Sequence, residues 1–99
     1  MDLLFVYGTL RSEFDNPYAR LLRANAVLAG NATVRGSVRI VNGYLAYSRQ
    51  PDGEVHGELY RLHDPETTLR ALDSYEGEGY DRVVVQAGDL EAWIYQEHA

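Results

Sequence analysis

Apolar residues are grouped along the chain in short segments that are typical of β-strands. Leu3–Tyr7 is an uninterrupted apolar run ended by Gly8, and such a run predicts a strand that is buried on both faces. Along Glu54–Leu62 apolar and polar side chains alternate, which is the pattern of a strand. Further strands are predicted within Ala26–Ile40, Tyr44–Ser48, Tyr80–Gln86 and Leu90–Gln96.

Two helices are predicted from residues that favour helix starts and ends. Asp15-Asn16-Pro17 favours a helix start, with Pro17 in the first turn, and apolar residues follow at helical spacing. The second helix begins at Asp64–Glu66, which supplies an N-cap, a proline and an acidic first turn. We expect this helix to run to Tyr75 or Glu76 and to end at Gly77, because glycine is the preferred residue just beyond a helix.

These elements amount to roughly five or six strands and two helices in the sequence. Most links between strands are too short for parallel crossovers, so the sheet is expected to be mainly antiparallel and curled. The fold class predicted is therefore α+β, with a small, mixed, partly closed β-barrel. A chain of 99 residues fits one domain, residues 1–99.

Composition excludes several kinds of chemistry. The chain has no cysteine and no lysine, which excludes thiolate catalysis, disulfides, Schiff bases and a P-loop lysine. A net charge of -6 disfavours binding to nucleic acid. The longest purely apolar run, Leu3–Val6 without the hydroxyl-bearing Tyr7, is too short to cross a bilayer, and the first residues lack the basic start of a secretory signal. We therefore expect a cytoplasmic protein with no membrane partner.

The phase of the second helix places an acid on its inward face. With Leu69 at zero and about 100° per residue, Leu72 lies near -60° and Glu76 near -20°. Glu76 therefore falls between the two leucines that should pack inward. On the same wheel Thr68 and Arg70 are expected to point away to either side.

An inward carboxylate is costly unless the protein uses it. The carboxyl end of a helix and partial burial would both raise the pKa of Glu76 and make it a better base. The alternative is that the helix ends one residue early, with Glu76 in solvent or paired with an arginine. Asp73 lies at the edge of the inward stripe, one turn from Glu76.

Other candidate groups give weaker signals. Gly8 follows a buried strand directly, and successive N–H groups in such a turn can bind an anion. Tyr7 and Tyr80 each flank a turn with a glycine and are the tyrosines most expected to line a pocket. His56 and His63 are too few and wrongly spaced for a metal site, so neither a metal nor a cofactor is expected.

Four segments in order resemble the γ-glutamylcyclotransferase-like, or AIG2-like, family over nearly the whole chain. They are Phe5-Val6-Tyr7-Gly8-Thr9-Leu10-Arg11, Val55-His56-Gly57-Glu58-Leu59-Tyr60, Leu72-Asp73-Ser74-Tyr75-Glu76-Gly77 followed by Tyr80-Asp81-Arg82, and Ala92-Trp93-Ile94-Tyr95. The resemblance implies a small mixed barrel with flanking helices and a central cavity.

The resemblance also implies site residues. Tyr7, Gly8, Thr9 and Leu10 would bind a γ-glutamyl group, largely through backbone N–H groups, and Glu76 matches the family's acidic catalytic residue. Tyr80 and Arg82 match a recurrent pattern of the family, although Arg82 has the alternative role of pairing with a nearby acid.

The reaction that the resemblance implies is a cyclisation. The α-amine of a small-molecule γ-glutamyl compound attacks its own γ-carbonyl, giving 5-oxoproline and a free amine or amino acid, with Glu76 as general acid and base. The alternative is a non-catalytic small-molecule binding module with the same pocket. The departing side of the pocket is expected near Tyr44 and Arg49, while the leaving amine and the oligomeric state stay open.

Overall fold

The computed structural model describes residues 1–98 of the chain. The strands and helices of this part are β1 Leu3–Val6, α1 Pro17–Asn25, β2 Ala26–Arg35, β3 Ser37–Val41, β4 Tyr44–Ser48, β5 Glu54–Leu62, α2 Pro65–Glu76, β6 Tyr80–Ala87 and β7 Leu90–Glu97. A short 3-10 turn, Gly77–Gly79, joins α2 to β6.

Both helices begin where their sequences predict, and α2 also ends where its sequence predicts. Asn16 caps α1 and Asp64 caps α2, and each side chain accepts a hydrogen bond from a backbone N–H of the first turn. Gly77 ends α2 with a φ of 73°, a conformation that glycine adopts without steric cost. Because α2 extends through Glu76, the alternative of an earlier end to this helix is wrong.

The strands form one mostly antiparallel sheet that partly closes on itself. Their order is β1-β5-β2-β6-β7-β4-β3, with a further pairing between β1 and β7. Two contacts are parallel, one between Leu4 and Trp93 and the other between Tyr47 and Gln96. The expected α+β fold with a mixed, mainly antiparallel and partly closed sheet and two helices is confirmed.

The described residues contain seven strands, so the expected five or six was too low. The segment predicted as strand from Ala26 to Ile40 is two strands, β2 paired with β5 and β3 paired with β4. Gly36 separates them with a φ of 145°, and a Cβ there would lie 2.4 Å from a ring carbon of Tyr47. The chain changes its partner strand at this bend, and a glycine occupies the bend because a larger residue would not fit there.

The apolar core has two layers, one inside the curled sheet and one between the sheet and the helices. The inner layer includes Phe5, Tyr7, Val34, Tyr47, Leu59 and Ile94. The outer layer includes Leu4, Val6, Leu22, Tyr60, Leu69 and Leu72. Alternate residues of β1 enter the two layers, and all four are buried, which confirms the prediction for this strand.

One side chain of α2 departs from the expected phase. Thr68 is buried, with 3% of its surface exposed, whereas it was expected to point away from the core. The buried stripe is centred nearer Leu72 than Leu69, and Thr68 lies only about 40° from Leu72 on the helix. Arg70 is exposed as expected, and Glu76 stays within the stripe.

Within residues 1–98, no helix is long and apolar enough to cross a membrane.

Candidate active site

A cavity of about 360 Å³ lies where three parts of the chain meet. The loop after β1 contributes Gly8, Thr9 and Leu10, the carboxyl end of α2 contributes Glu76, and the beginning of β4 contributes Tyr44. Tyr7 and Tyr80 line the same cavity. All six residues predicted for the site from the sequence are therefore brought together, although they are up to 73 positions apart (7 to 80).

The loop after β1 is held by its carbonyl groups rather than its N–H groups. The Gly8 carbonyl accepts from the Arg11 backbone N–H at 3.2 Å and from Arg11 Nε at 3.1 Å. The Thr9 carbonyl accepts from Asn16 Nδ2 at 2.9 Å. Within the described residues, the N–H groups of Gly8, Thr9 and Leu10 donate no hydrogen bond. These donors are available to a ligand in the cavity.

Tyr7 joins three strands through its hydroxyl. That hydroxyl donates to the Tyr95 carbonyl at 2.6 Å and accepts from the Tyr47 N–H at 2.9 Å. Burial is the main cause that raises the pKa of Tyr7 far above its ordinary value, and the charge of Glu76 acts in the same direction. The phenol stays protonated at neutral pH, and its ring forms part of the cavity wall.

Glu76 is a partly buried acid that lacks a counter-ion. Within residues 1–98, its carboxyl group has neither a hydrogen-bond partner nor a salt bridge. Burial raises its pKa from 4.5 to about 7. A pKa close to neutral pH suits a group that takes a proton and then returns it.

Three tyrosines that line the cavity with Glu76 direct their hydroxyl groups to other acceptors. The Tyr80 hydroxyl donates to the Leu45 carbonyl at 3.0 Å, and the Tyr95 hydroxyl donates to Asp73 Oδ1 at 2.7 Å. The Tyr7 hydroxyl is also directed elsewhere, to the Tyr95 carbonyl. A carboxylate among aromatic rings whose protons are already donated keeps a high pKa.

Asp73, one turn before Glu76, is bound on two sides. Its carboxylate accepts from Arg82 Nε at 2.8 Å and Nη2 at 3.1 Å, in addition to the Tyr95 hydroxyl. Arg82 also lies over the ring of Trp93, 4.3 Å from its centroid. Arg82 thus pairs with a nearby acid, which was the alternative role given for it, and the pair fastens the last turns of α2 to β6 and β7.

Sequence reasoning missed Tyr95 and placed Arg49 wrongly. Tyr95 lines the cavity because β7 lies beside β1 in parallel, a pairing that no local pattern indicates. Tyr44 lines the cavity as expected, but Arg49 donates to the Val84 carbonyl at 2.7 Å and does not line it. Arg49 follows the end of β4, whereas the cavity meets the beginning of that strand.

The described residues contain no cluster of three or more His, Cys, Asp or Glu side chains that could hold a metal ion.

Comparisons of sequence identify the relatives of this chain. The profile of the family described as "Gamma-glutamyl cyclotransferase, AIG2-like" matches residues 4–99. The chain is 32% identical over 94 residues to the Gamma-glutamylcyclotransferase family protein ytfP of Citrobacter rodentium, which covers 93% of this chain and 78% of that protein. The identity is also 32% over 94 residues to YtfP of Escherichia coli K12, with 93% and 79% covered.

The fold is shared with solved structures. The crystal structure of an AIG2-like protein from Mus musculus matches with a TM-score of 0.81 at 24% identity, covering 100% of this chain and 80% of that one. Fold and cavity together define a small α+β protein with one acid in a tyrosine-lined site. The chain belongs to the γ-glutamyl cyclotransferase, AIG2-like family.

Proposed function

We propose that the protein is a γ-glutamyl cyclotransferase, which converts a small γ-glutamyl compound into 5-oxoproline and a free amine. The observation that supports this most is Glu76, an acid in the cavity with no partner within the described residues and a pKa raised to about 7. Membership of a family described by this activity supports the same reaction.

Binding of the γ-glutamyl group falls to the loop after β1. The N–H groups of Gly8, Thr9 and Leu10 would receive the α-carboxylate of the substrate, since backbone donors in a turn suit an anion. One of these groups would instead polarise the γ-carbonyl if it lies within reach of that oxygen. Tyr7 and Tyr80 would pack against the bent glutamyl chain. The fold would thus hold the α-amine close to the γ-carbonyl carbon.

The chemistry needs one proton carrier. Glu76 would take a proton from the α-ammonium, and the free amine would attack the γ-carbonyl carbon to close the five-membered ring. Glu76 then returns this proton to the leaving nitrogen, and the bond from that carbon to the nitrogen breaks. The ring nitrogen still carries one hydrogen more than the lactam keeps, and Glu76 passes this second proton to the departing amine, which leaves as an ammonium ion. The reaction replaces one amide bond with another. Because the nucleophile and the electrophile belong to one molecule, little entropy is lost in bringing them together.

The test is a substrate panel with detection of 5-oxoproline by mass spectrometry. It holds γ-glutamyl amino acids, glutathione, γ-glutamyl-ε-lysine and γ-glutamyl amines, each incubated with wild type, Glu76→Gln and Glu78→Gln. Glu78 is an exposed acid two positions away that does not line the cavity, so its variant is the matched control.

We expect wild type and Glu78→Gln to release 5-oxoproline and Glu76→Gln to bind substrate without turnover. A Glu76→Gln protein that keeps more than a tenth of the wild-type rate would remove Glu76 as the base. Binding by wild type with no release from any compound would favour the non-catalytic binding module.

A further inference from the structure

Charge is unevenly distributed over the cavity walls, and this distribution affects which departing amine the cavity can accommodate. The charged side chains that line it, within the described residues, are Arg11 and Glu76. Arg11 belongs to the loop that offers the free N–H donors, so the cation and the proposed α-carboxylate site are on one wall. Among residues 1–98, no other cationic side chain lines the cavity to receive a second carboxylate on a ligand.

Arg11 is itself already engaged. Its Nε donates to the Gly8 carbonyl at 3.1 Å and its Nη1 pairs with Glu13 Oε1 at 2.9 Å. The guanidinium also lies over the ring of Phe14, 5.3 Å from the centroid. Its charge is balanced by Glu13, and a ligand carboxylate that recruited it would have to compete with this acid.

The wall built by the beginning of β4 is apolar and open. Tyr44 and Leu45 line the cavity there and are 57% and 37% exposed, which is high for large apolar side chains. The Tyr80 hydroxyl donates to the Leu45 carbonyl and fixes the beginning of this strand to the site. An aromatic or aliphatic group on a ligand would cover these side chains and remove apolar surface from water.

Resting on the proposed function, we infer that the departing amine carries an apolar or aromatic group and no carboxylate. Such a γ-glutamyl amide has one carboxylate, which the loop wall can receive, and one apolar arm, which the Tyr44 wall can cover. A γ-glutamyl amino acid would bring a second carboxylate to a site where the described residues offer it no free counter-ion. The net charge of -6 disfavours it further.

The test compares two compounds that differ by a single carboxylate, γ-glutamylphenethylamide and γ-glutamylphenylalanine. We expect kcat/KM for release of 5-oxoproline to be at least about tenfold higher for the phenethylamide. γ-Glutamylmethylamide, which lacks the aromatic arm, should also be used about tenfold less well. Equal use of the matched pair, or preference for γ-glutamylphenylalanine, would overturn the inference.

Calorimetric binding to Glu76→Gln separates this inference from the proposed function. Tighter binding of the phenethylamide with no 5-oxoproline from wild type would keep the inference and overturn the cyclotransferase proposal. Equal binding of the two compounds, or binding of neither, would overturn the inference even if another compound is turned over.

A charge added to the apolar wall supplies the second control. Leu45→Arg should raise use of γ-glutamylphenylalanine and reduce the discrimination about tenfold. Val38→Arg adds the same charge at a residue of similar exposure, 39% against 37%, that does not line the cavity. Discrimination should stay at the wild-type value in Val38→Arg, and an equal shift in both variants would contradict the placement of the leaving group.

Discussion

At the scale of single residues, Glu76 sets function against stability. Burial penalises its ionised form and raises its pKa from 4.5 to about 7, with no nearby cation in the described residues to offset this. The unfolded chain pays no such penalty, so ionisation of Glu76 destabilises the folded state. This destabilisation of the folded state is absent below about pH 4.5, grows as the pH rises and is fully developed above about pH 7.

Replacement of Glu76 by Gln is therefore expected to stabilise the protein at alkaline pH. A rise in pKa of this size corresponds to a penalty on the order of 3 kcal/mol once the group is ionised. Urea unfolding at pH 8 should show a gain in the free energy of unfolding approaching that value, and at pH 5 the gain should be small.

The exposed Glu78→Gln variant serves as the control and should show no such pH-dependent gain. Parallel pH dependences for wild type and Glu76→Gln would mean that the carboxyl group is solvated in the folded protein.

At the scale of elements, the start of α1 holds the ligand-binding loop. Asn16 Oδ1 accepts from the Ala19 N–H at 2.9 Å as the helix cap, while Nδ2 of the same side chain donates to the Thr9 carbonyl at 2.9 Å. The cap of α2, Asp64, accepts from the Thr67 N–H at 3.4 Å and has no contact with the loop. The two caps thus separate the stability of a helix from the order of the site.

Asn16→Ala and Asp64→Ala should each lower the free energy of unfolding by about 1 kcal/mol. Only Asn16→Ala should also raise KM, by about fivefold, because only this change removes the hydrogen bond to the Thr9 carbonyl. Without that bond, the loop no longer holds its unpaired N–H groups in place for the substrate. Chemical denaturation and steady-state kinetics on the two variants provide the measurement. Equal KM values in both would show that the loop holds its shape without Asn16.

At the scale of the whole molecule, Tyr7 ties the partly closed sheet together. It extends from the end of β1 to the Tyr95 carbonyl of β7 and the Tyr47 N–H of β4, where the two parallel contacts of the sheet lie. Each parallel contact consists of a single residue pair, so few hydrogen bonds between the strands support it. The hydroxyl of Tyr7 supplies bonds that the strands do not.

Tyr7→Phe should destabilise the fold by about 1–3 kcal/mol, because it leaves the Tyr47 N–H buried without a partner. Tyr18→Phe is the matched control. Tyr18 stacks on Tyr75 with ring centroids 4.2 Å apart, and the ring is kept, so its change should stay within about 0.5 kcal/mol. Thermal or urea unfolding of both variants gives the comparison, and equal losses would remove the special role of Tyr7.

The parts of the fold that were predictable have local causes. Local sequence determines the burial of β1, the N-cap at Asp64 and the helix end at Gly77. The inward position of Glu76 likewise follows from the spacing of residues within one helix. Tyr95 could not be placed because its position depends on a pairing between the two ends of the chain. Such long-range pairing is set by packing of the whole sheet, which no short pattern encodes.

Two of the predictions that failed have physical reasons in neighbouring residues. The strand-like segment divides at Gly36, which has a positive φ and no side chain, and Tyr47 occupies the space that a side chain there would need. Thr68 is buried because the inward stripe of α2 is centred on Leu72, and a stripe centre cannot be fixed from two leucines alone.

The measurement that tests the account most directly is the fate of the γ-carbonyl in water enriched in ¹⁸O. Wild-type protein and a γ-glutamyl amide that it turns over are incubated in labelled water. The mass of the product that contains the γ-carbonyl carbon is then measured by mass spectrometry. Cyclisation by the substrate's own amine predicts 5-oxoproline without label and an equal amount of free amine. Glutamate carrying ¹⁸O in its γ-carboxyl group would show attack by water instead and would contradict the proposed reaction.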